Sequence, residues 1–108
     1  MGANMARRLN DQHFTITAIS DVNAEAAKSL ADELGSTYYE KLSHVTKNAD
    51  VIITVVTDDK AMKGIFHSTG SLLARAHGKL FINCATVSPA THAKVEEWAE
   101  DLYAVCIQ

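Results

Sequence analysis

Short β-branched runs alternate along this chain with segments of helical periodicity, and that alternation constrains the fold more than any other feature. The sharpest run is Val51-Ile-Ile-Thr-Val-Val56, nearly all apolar. Such a run predicts a strand covered on both faces, as in a parallel sheet. Phe14 to Ile19 (FTITAI) alternates and is β-branched, as strands are. Ser36 to Tyr39, Leu80 to Cys84 and Tyr103 to Ile107 supply further short strands. Helical patterns fill the intervals. Gly2 to Asp11 places Met5, Ala6 and Leu9 on one face. Asn23 is placed to cap a helix burying Ala27, Leu30, Ala31 and Leu34, and Gly35 to end it. Leu42 to Lys47 forms a short helix. Asp58 can cap one running through Met62, Ile65 and Phe66. Ser71 to His77 is a further short helix closed by Gly78. Ser88-Pro89 opens a helix carrying Val95, Trp98, Ala99 and Leu102. The pattern is that of a doubly wound α/β domain with a mostly parallel sheet.

Composition narrows the function classes. The 108 residues, 47% apolar and 21% charged, suit a single domain over 1–108 that buries a real core. The net charge is −3 with both signs interspersed, and no basic stripe points to nucleic acid or a membrane surface. The longest apolar run is far too short to cross a bilayer, and no signal-peptide core is present. Cys84 and Cys106 form no CxxC, which suggests a reduced, cytoplasmic protein. His13, His44, His67, His77 and His92 show no metal-ligand spacing, so no metal site is expected.

The first helix begins at Gly2 with no strand in front of it. In a dinucleotide-binding domain a first strand ends in GxGxxG. Its third glycine lets the helix pack close to the sheet, and the helix start faces the pyrophosphate. An acid roughly 20 residues on, at the end of the second strand, binds the ribose. Gly2 stands where the third glycine belongs and Asp21 where the acid belongs. The residue types also fit a plain helix start and a plain turn.

In the usual strand order, 3-2-1-4-5-6, the absent first strand is central. Its absence would leave the flanking strands with a row of unpaired N–H and C=O groups. Three repairs are open. The flanking strands could pair directly, Tyr103–Ile107 could fill the slot, or a second copy could pair across it. A homo-oligomer, most simply a dimer, through the exposed sheet edge or an apolar face is the favoured outcome.

Four segments in order, MGANMARRL, SDVNAEAAKSL, ADVIITVVTDD and FINCATVSPAT, resemble the N-terminal NAD(P)-binding domain of the β-hydroxyacid dehydrogenases. This is the family of 3-hydroxyisobutyrate dehydrogenase and glyoxylate/succinic semialdehyde reductase, related to 6-phosphogluconate dehydrogenase. The resemblance covers nearly the whole chain. It implies a Rossmann-like sheet lacking its usual first strand. It implies that Gly2, Ala3 and Asn4 lie beside the pyrophosphate, and that Asp21 accepts the ribose hydroxyls. A carboxylate there repels a 2′-phosphate and favours NAD over NADP. Val56, Thr57 and Asp58 would form the loop facing the dinucleotide, and Thr86 would lie near the nicotinamide ribose.

The departures from the family pattern also carry meaning. Thr57 stands where the family has proline. Asn83 replaces the Asp of a DxSTxxP-like segment, and Ala85 its serine, so a substrate hydrogen bond is lost. The catalytic lysine belongs to a helical catalytic and dimerisation domain that this chain does not include, and no catalytic residue is assigned. Lys60, Lys63 and Lys79 fit the surface better. Two functions therefore stand side by side. One is an incomplete oxidoreductase-type cofactor domain, not catalytic alone. The other is a non-catalytic oligomerising module on a relic fold, with NAD binding weak or lost.

Overall fold

The computed structural model describes residues 2–56, 58–66, 71–84, 87–101 and 104–107. Helices and strands alternate through these residues: α1 (Gly2–Asp11), β1 (Ala18–Ile19), α2 (Ala24–Leu34), β2 (Thr37–Tyr38), α3 (Leu42–Lys47), β3 (Val51–Thr54), α4 (Asp59–Phe66), β4 (Leu80–Asn83), α5 (Pro89–Asp101) and β5 (Val105–Ile107).

Local chemistry sets most of the helix ends. The Asn23 side chain accepts the Ala26 N–H at 3.1 Å, and Gly35 closes α2 at φ +66°. A left-handed φ is strained for a residue with a Cβ, so glycine suits this site. The Asp58 carboxylate accepts the Ala61 N–H at 2.7 Å and caps α4. Ser88 Oγ accepts the Thr91 N–H at 3.3 Å at the start of α5, with Pro89 in the first turn.

Every strand pair is parallel. β1 pairs with β2, placing Ala18 beside Thr37 and Ile19 beside Tyr38. β3, β4 and β5 form a second sheet in that order, placing Val51 beside Leu80 and Leu80 beside Val105. The sheet is therefore in two pieces, divided between β1 and β3. The division falls where the first strand of a doubly wound order would lie.

Two of the anticipated repairs do not occur. β1 and β3 do not pair, and β5 takes its ordinary place beside β4 rather than the slot. The expected strand over 14–19 shrinks to Ala18–Ile19, and Phe14 is exposed. Without a neighbour on the slot side, only the two residues opposite β2 join a ladder.

The core lies under one face of the three-stranded sheet. Ile52, Phe81 and Cys106 point into it, against Met62 and Phe66 of α4 and Val95 and Ala99 of α5. The Phe66 and Phe81 rings meet edge to face at 5.5 Å, a favoured aromatic geometry. Leu72, Leu73 and Ala76 complete this core. Their segment is a series of turns rather than the expected helix: Ala74 N–H bonds to Ser71 O, Ala76 N–H to Leu73 O, and Arg75 sits at φ +68°.

The opposite face is bare. Val51 is 47% exposed, Ile53 36%, Val105 60% and Ile107 48%, and the half-buried Leu80 and Ile82 lie in register between them. The expectation that Val51–Val56 is covered on both faces is thus not met. A continuous apolar run reports that neither face is polar, and does not report that both are covered.

Candidate functional site

In parallel sheets the strand ends and the helix starts that follow them gather along one carboxyl-terminal edge. The start of α1 reaches that edge beside β3. A Cβ on Gly2 would lie 3.8 Å from the Val55 side chain. That is ordinary contact, so Gly2 marks where α1 meets the end of β3 without being forced to lack a side chain. Gly2 is half-buried, and Ala3 and Asn4 are exposed. Asn4 Oδ1 accepts from Arg7 Nη1 at 3.4 Å, which turns its amide along the helix.

Arg7 continues to Glu33 of α2 as a two-pronged pair, Nε to Oε2 at 2.7 Å and Nη2 to Oε1 at 3.1 Å. The hydrogen bond to Glu33 raises the guanidinium pKa, and the bond to Arg7 lowers that of Glu33. This clasp ties α1 to α2 across the surface. In the sequence Arg7 is only part of a basic cluster, because its partner lies on another helix.

Asp21 follows β1 and is exposed. Its Oδ1 accepts the Asn23 N–H at 3.1 Å, forming a turn into α2. Asp21 is exposed, and a carboxylate has acceptor capacity beyond this one bond. The bland and the functional roles of Asp21 are thus compatible: one bond shapes the turn and the remaining acceptor capacity is available to a hydroxyl.

Val56, beyond β3, is half-buried, and Asp58 is exposed with its carboxylate committed to the α4 cap. Thr57 and Thr86 lie outside the described residues, as does Ala85. The structure thus brings Gly2 next to the end of β3 and sets Asp21 at the end of β1, on the same edge. Asp58 also follows β3 toward that edge, with its carboxylate engaged in the α4 cap.

Asp59 is a residue that sequence inspection passes over. Its Oδ1 accepts the Ser88 N–H at 2.8 Å and so braces the start of α4 to the loop entering α5. That backbone hydrogen bond is the leading cause that holds the Asp59 carboxyl below its ordinary pKa. The only sequence signal is the doublet Asp58-Asp59, in which one acid caps its own helix and the other its neighbour's loop. A depressed carboxylate stabilises the fold above its unfolded pKa, and the effect fades as pH falls through the folded value. Asp59→Ala is therefore expected to lower Tm near neutrality, with wild type and variant converging only once pH has fallen below the depressed folded value. Parallel melting curves from neutrality into acid check this; a constant gap would sever the link to Asp59 ionisation.

One further position differs from expectation: Lys79 is not a free surface residue, because Nζ donates to Ala49 O at 2.6 Å and lies 3.9 Å from Asp50. His92 is half-buried, with Nδ1 lacking a hydrogen-bond partner.

Among the described residues there is no cluster of acidic, His or Cys side chains able to hold a metal, and no helix is long and apolar enough to cross a membrane. A shallow hollow between α4 and α5, lined by Lys63, Gly64, Ala90, Lys94 and Trp98, lies on the outer side of that helix pair.

The family described as the NAD binding domain of 6-phosphogluconate dehydrogenase matches residues 1–107. No relative is found among curated proteins. Among solved structures, 3-hydroxyisobutyrate dehydrogenase of Mycobacterium tuberculosis with L-serine is 25% identical, with TM-score 0.83 over 98% of this chain and 35% of that one. Psf3 in complex with NADP+ and 2-OPP is 21% identical, with TM-score 0.89 over 100% of this chain and 38% of that one. An imine reductase from Myxococcus stipitatus in complex with NADP+ is 19% identical, with TM-score 0.83 over 98% of this chain and 36% of that one. The chain spans little more than a third of the length of these proteins.

Proposed function

The chain belongs to the family of the NAD binding domain of 6-phosphogluconate dehydrogenase, and we propose that its carboxyl-terminal sheet edge holds a nicotinamide dinucleotide with Asp21 as the discriminating residue. The observation that carries this reading is the placement of Gly2 and Asp21 at the ends of adjoining half-sheets. The start of α1 offers free N–H groups and positive potential to a pyrophosphate. The exposed carboxylate of Asp21 accepts a ribose hydroxyl, and its charge opposes a 2′-phosphate. NAD is then preferred over NADP. Val56 lines the remainder of the cleft, to which the family resemblance also assigns Thr57 and Thr86. Asp58 serves as a cap.

A bound nicotinamide would supply hydride chemistry, and this chain's residues would bind and orient it. Acting on a 3-hydroxy acid needs a proton donor, which belongs with the helical domain of longer relatives. Cys84 and Cys106 are both free thiols, which suits a reducing, cytoplasmic setting.

Calorimetric titration with NADH and NADPH tests this. Wild type is expected to favour NADH by about tenfold, and Asp21→Asn to erase that preference, since a charge-assisted hydrogen bond contributes roughly 1.5–3 kcal/mol. Asparagine preserves the acceptor for the Asn23 N–H, so the turn survives. Absence of heat with either cofactor at about millimolar concentration, where even a weak site of roughly −4 kcal/mol would register, removes the reading.

One observation favours a second role beside the first. The bare face of Val51, Ile53, Val105 and Ile107 is a contiguous apolar surface of the kind that self-associates. On this reading two copies meet there as a homodimer.

A further inference from the structure

We propose that the hollow between α4 and α5 binds a small aromatic anion, a flat ring that carries a phosphate, at a site separate from the sheet edge that holds Asp21. The hollow measures about 630 Å³, within the range of small-molecule sites, roughly 300–1,000 Å³. Ala90, Lys94 and Trp98 follow one another at four-residue steps along α5, so they share one face. Lys63 and Gly64 line the hollow from α4. Trp98 is half-buried and packs partly on the core beneath. The core thus steadies its ring, and the remainder of the residue forms a wall of the hollow. A ligand ring that meets this wall offset or edge to face gains a favoured aromatic contact.

The floor and the charges fit the same ligand. Gly64 and Ala90 carry the least side chain of any residues, and both are exposed. Gly64 lies inside α4, where glycine weakens a helix. A Cβ there would meet nothing within 4 Å, so packing does not require the glycine. Its effect is to keep the space beside Trp98 clear. Of the described lining residues, the charged ones are both lysines, one on each helix. Lys94 Nζ stands 5.9 Å from the centre of the Trp98 ring, within the range of a cation–π contact. The same ammonium is at hand for an anion borne by a ring that lies against Trp98. Each lysine also has an acidic neighbour: Glu97 lies 3.8 Å from Lys94, and the charge of Lys63 helps to hold the Asp59 carboxyl down. The Lys94–Glu97 pair is long and solvent-exposed, and such pairs hold a side chain loosely. A phosphate, with a charge of about −1.5 to −2, competes with a single carboxylate for two ammonium groups. The inference does not depend on whether a dinucleotide binds at the sheet edge.

Trp98 is the only tryptophan of the chain, so its indole N–H gives a single NMR resonance that reports on this hollow. The full chain is titrated with phenyl phosphate. The indole resonance is expected to shift with a Kd of about a millimolar, as suits so small a ligand on an open site. Inorganic phosphate lacks the ring and benzyl alcohol lacks the charge, and each is expected to bind at least about tenfold more weakly. Lys63→Gln combined with Lys94→Gln is expected to weaken phenyl phosphate by about tenfold and to remove the salt dependence of its binding. Gly64→Leu fills the floor. Leucine is the better helix former, so this variant should hold or raise Tm while abolishing the shift. Retained stability with lost binding separates a blocked site from a damaged fold. An indole that does not respond by about 20 mM phenyl phosphate overturns the proposal. So does equal binding of inorganic phosphate or benzyl alcohol, and so does undiminished binding by a folded Gly64→Leu chain or by the double lysine variant. An acidic peptide with one phenylalanine that binds at least about tenfold more tightly than phenyl phosphate also overturns it, because the hollow then serves a protein partner.

Discussion

Asn83→Asp is expected to destabilise the chain by about 2–4 kcal/mol near neutral pH, although it restores the residue that the resembling family carries there. Asn83 is buried at the end of β4. Its Oδ1 accepts the Thr54 hydroxyl at 2.7 Å, and its Nδ2 donates to Cys106 Sγ at 2.9 Å. One amide thus links β3, β4 and β5 with a donor on one side and an acceptor on the other. A carboxylate offers acceptors only, and brings a charge that the buried site does not pair. Burial already pushes the Cys106 thiol up, so the sulfur supplies no compensating positive partner. The introduced carboxyl is expected to titrate above its unfolded value. Its stability deficit should then be small below the unfolded carboxylate pKa and grow as pH rises through the folded one. Chemical denaturation of both proteins across that range measures the effect. A neutral-pH loss under about 0.5 kcal/mol, the scatter of ordinary surface changes, would show that the amide donor contributes little.

The same residue shows what can and cannot be read from a sequence. Asn23, Gly35, Asp58 and Ser88 were legible because a cap acts within a few residues of itself. The strand-helix alternation was legible because periodicity is local. The faces were not. Val51 to Val56 looks two-sided because its residues are all apolar, but cover on the second face must come from elsewhere. Ser71 to His77 has helical spacing at Leu72, Leu73 and Ala76, yet a positive φ at Arg75 and short turn bonds deliver them to the core instead. Of the candidate site, the placement of Gly2 at a helix start and of Asp21 just after a strand was legible through their spacing. The brace from Asp59 to Ser88, the Arg7–Glu33 clasp and the burial of Lys79 all join residues far apart in sequence, which no local pattern announces.

A contrast between adjacent strands separates the covered face from the bare one. Phe81 is fully buried between α4 and α5, against Phe66. Phe81→Ala is expected to cost about 3–5 kcal/mol, combining lost transfer free energy with a cavity that the helices cannot close. Against a typical domain stability of about 5–15 kcal/mol, that is a large share of the whole. The loss should be the same at every protein concentration. Ile53 lies on the opposite face and keeps 36% of its surface. Ile53→Lys should cost the isolated chain no more than about 1 kcal/mol, the span of strand preferences, because a lysine there can reach water. If two copies meet on that face, the same change should abolish the dimer in sedimentation and make Tm independent of concentration. Phe81→Ala should melt the fold whether or not copies associate. A wild type that sediments as a monomer at about 100 μM, well above the Kd range of stable interfaces, would assign the bare face to something other than a second copy. The large cost at Phe81 and the small one at Ile53 would still hold, because they follow from which face α4 and α5 cover.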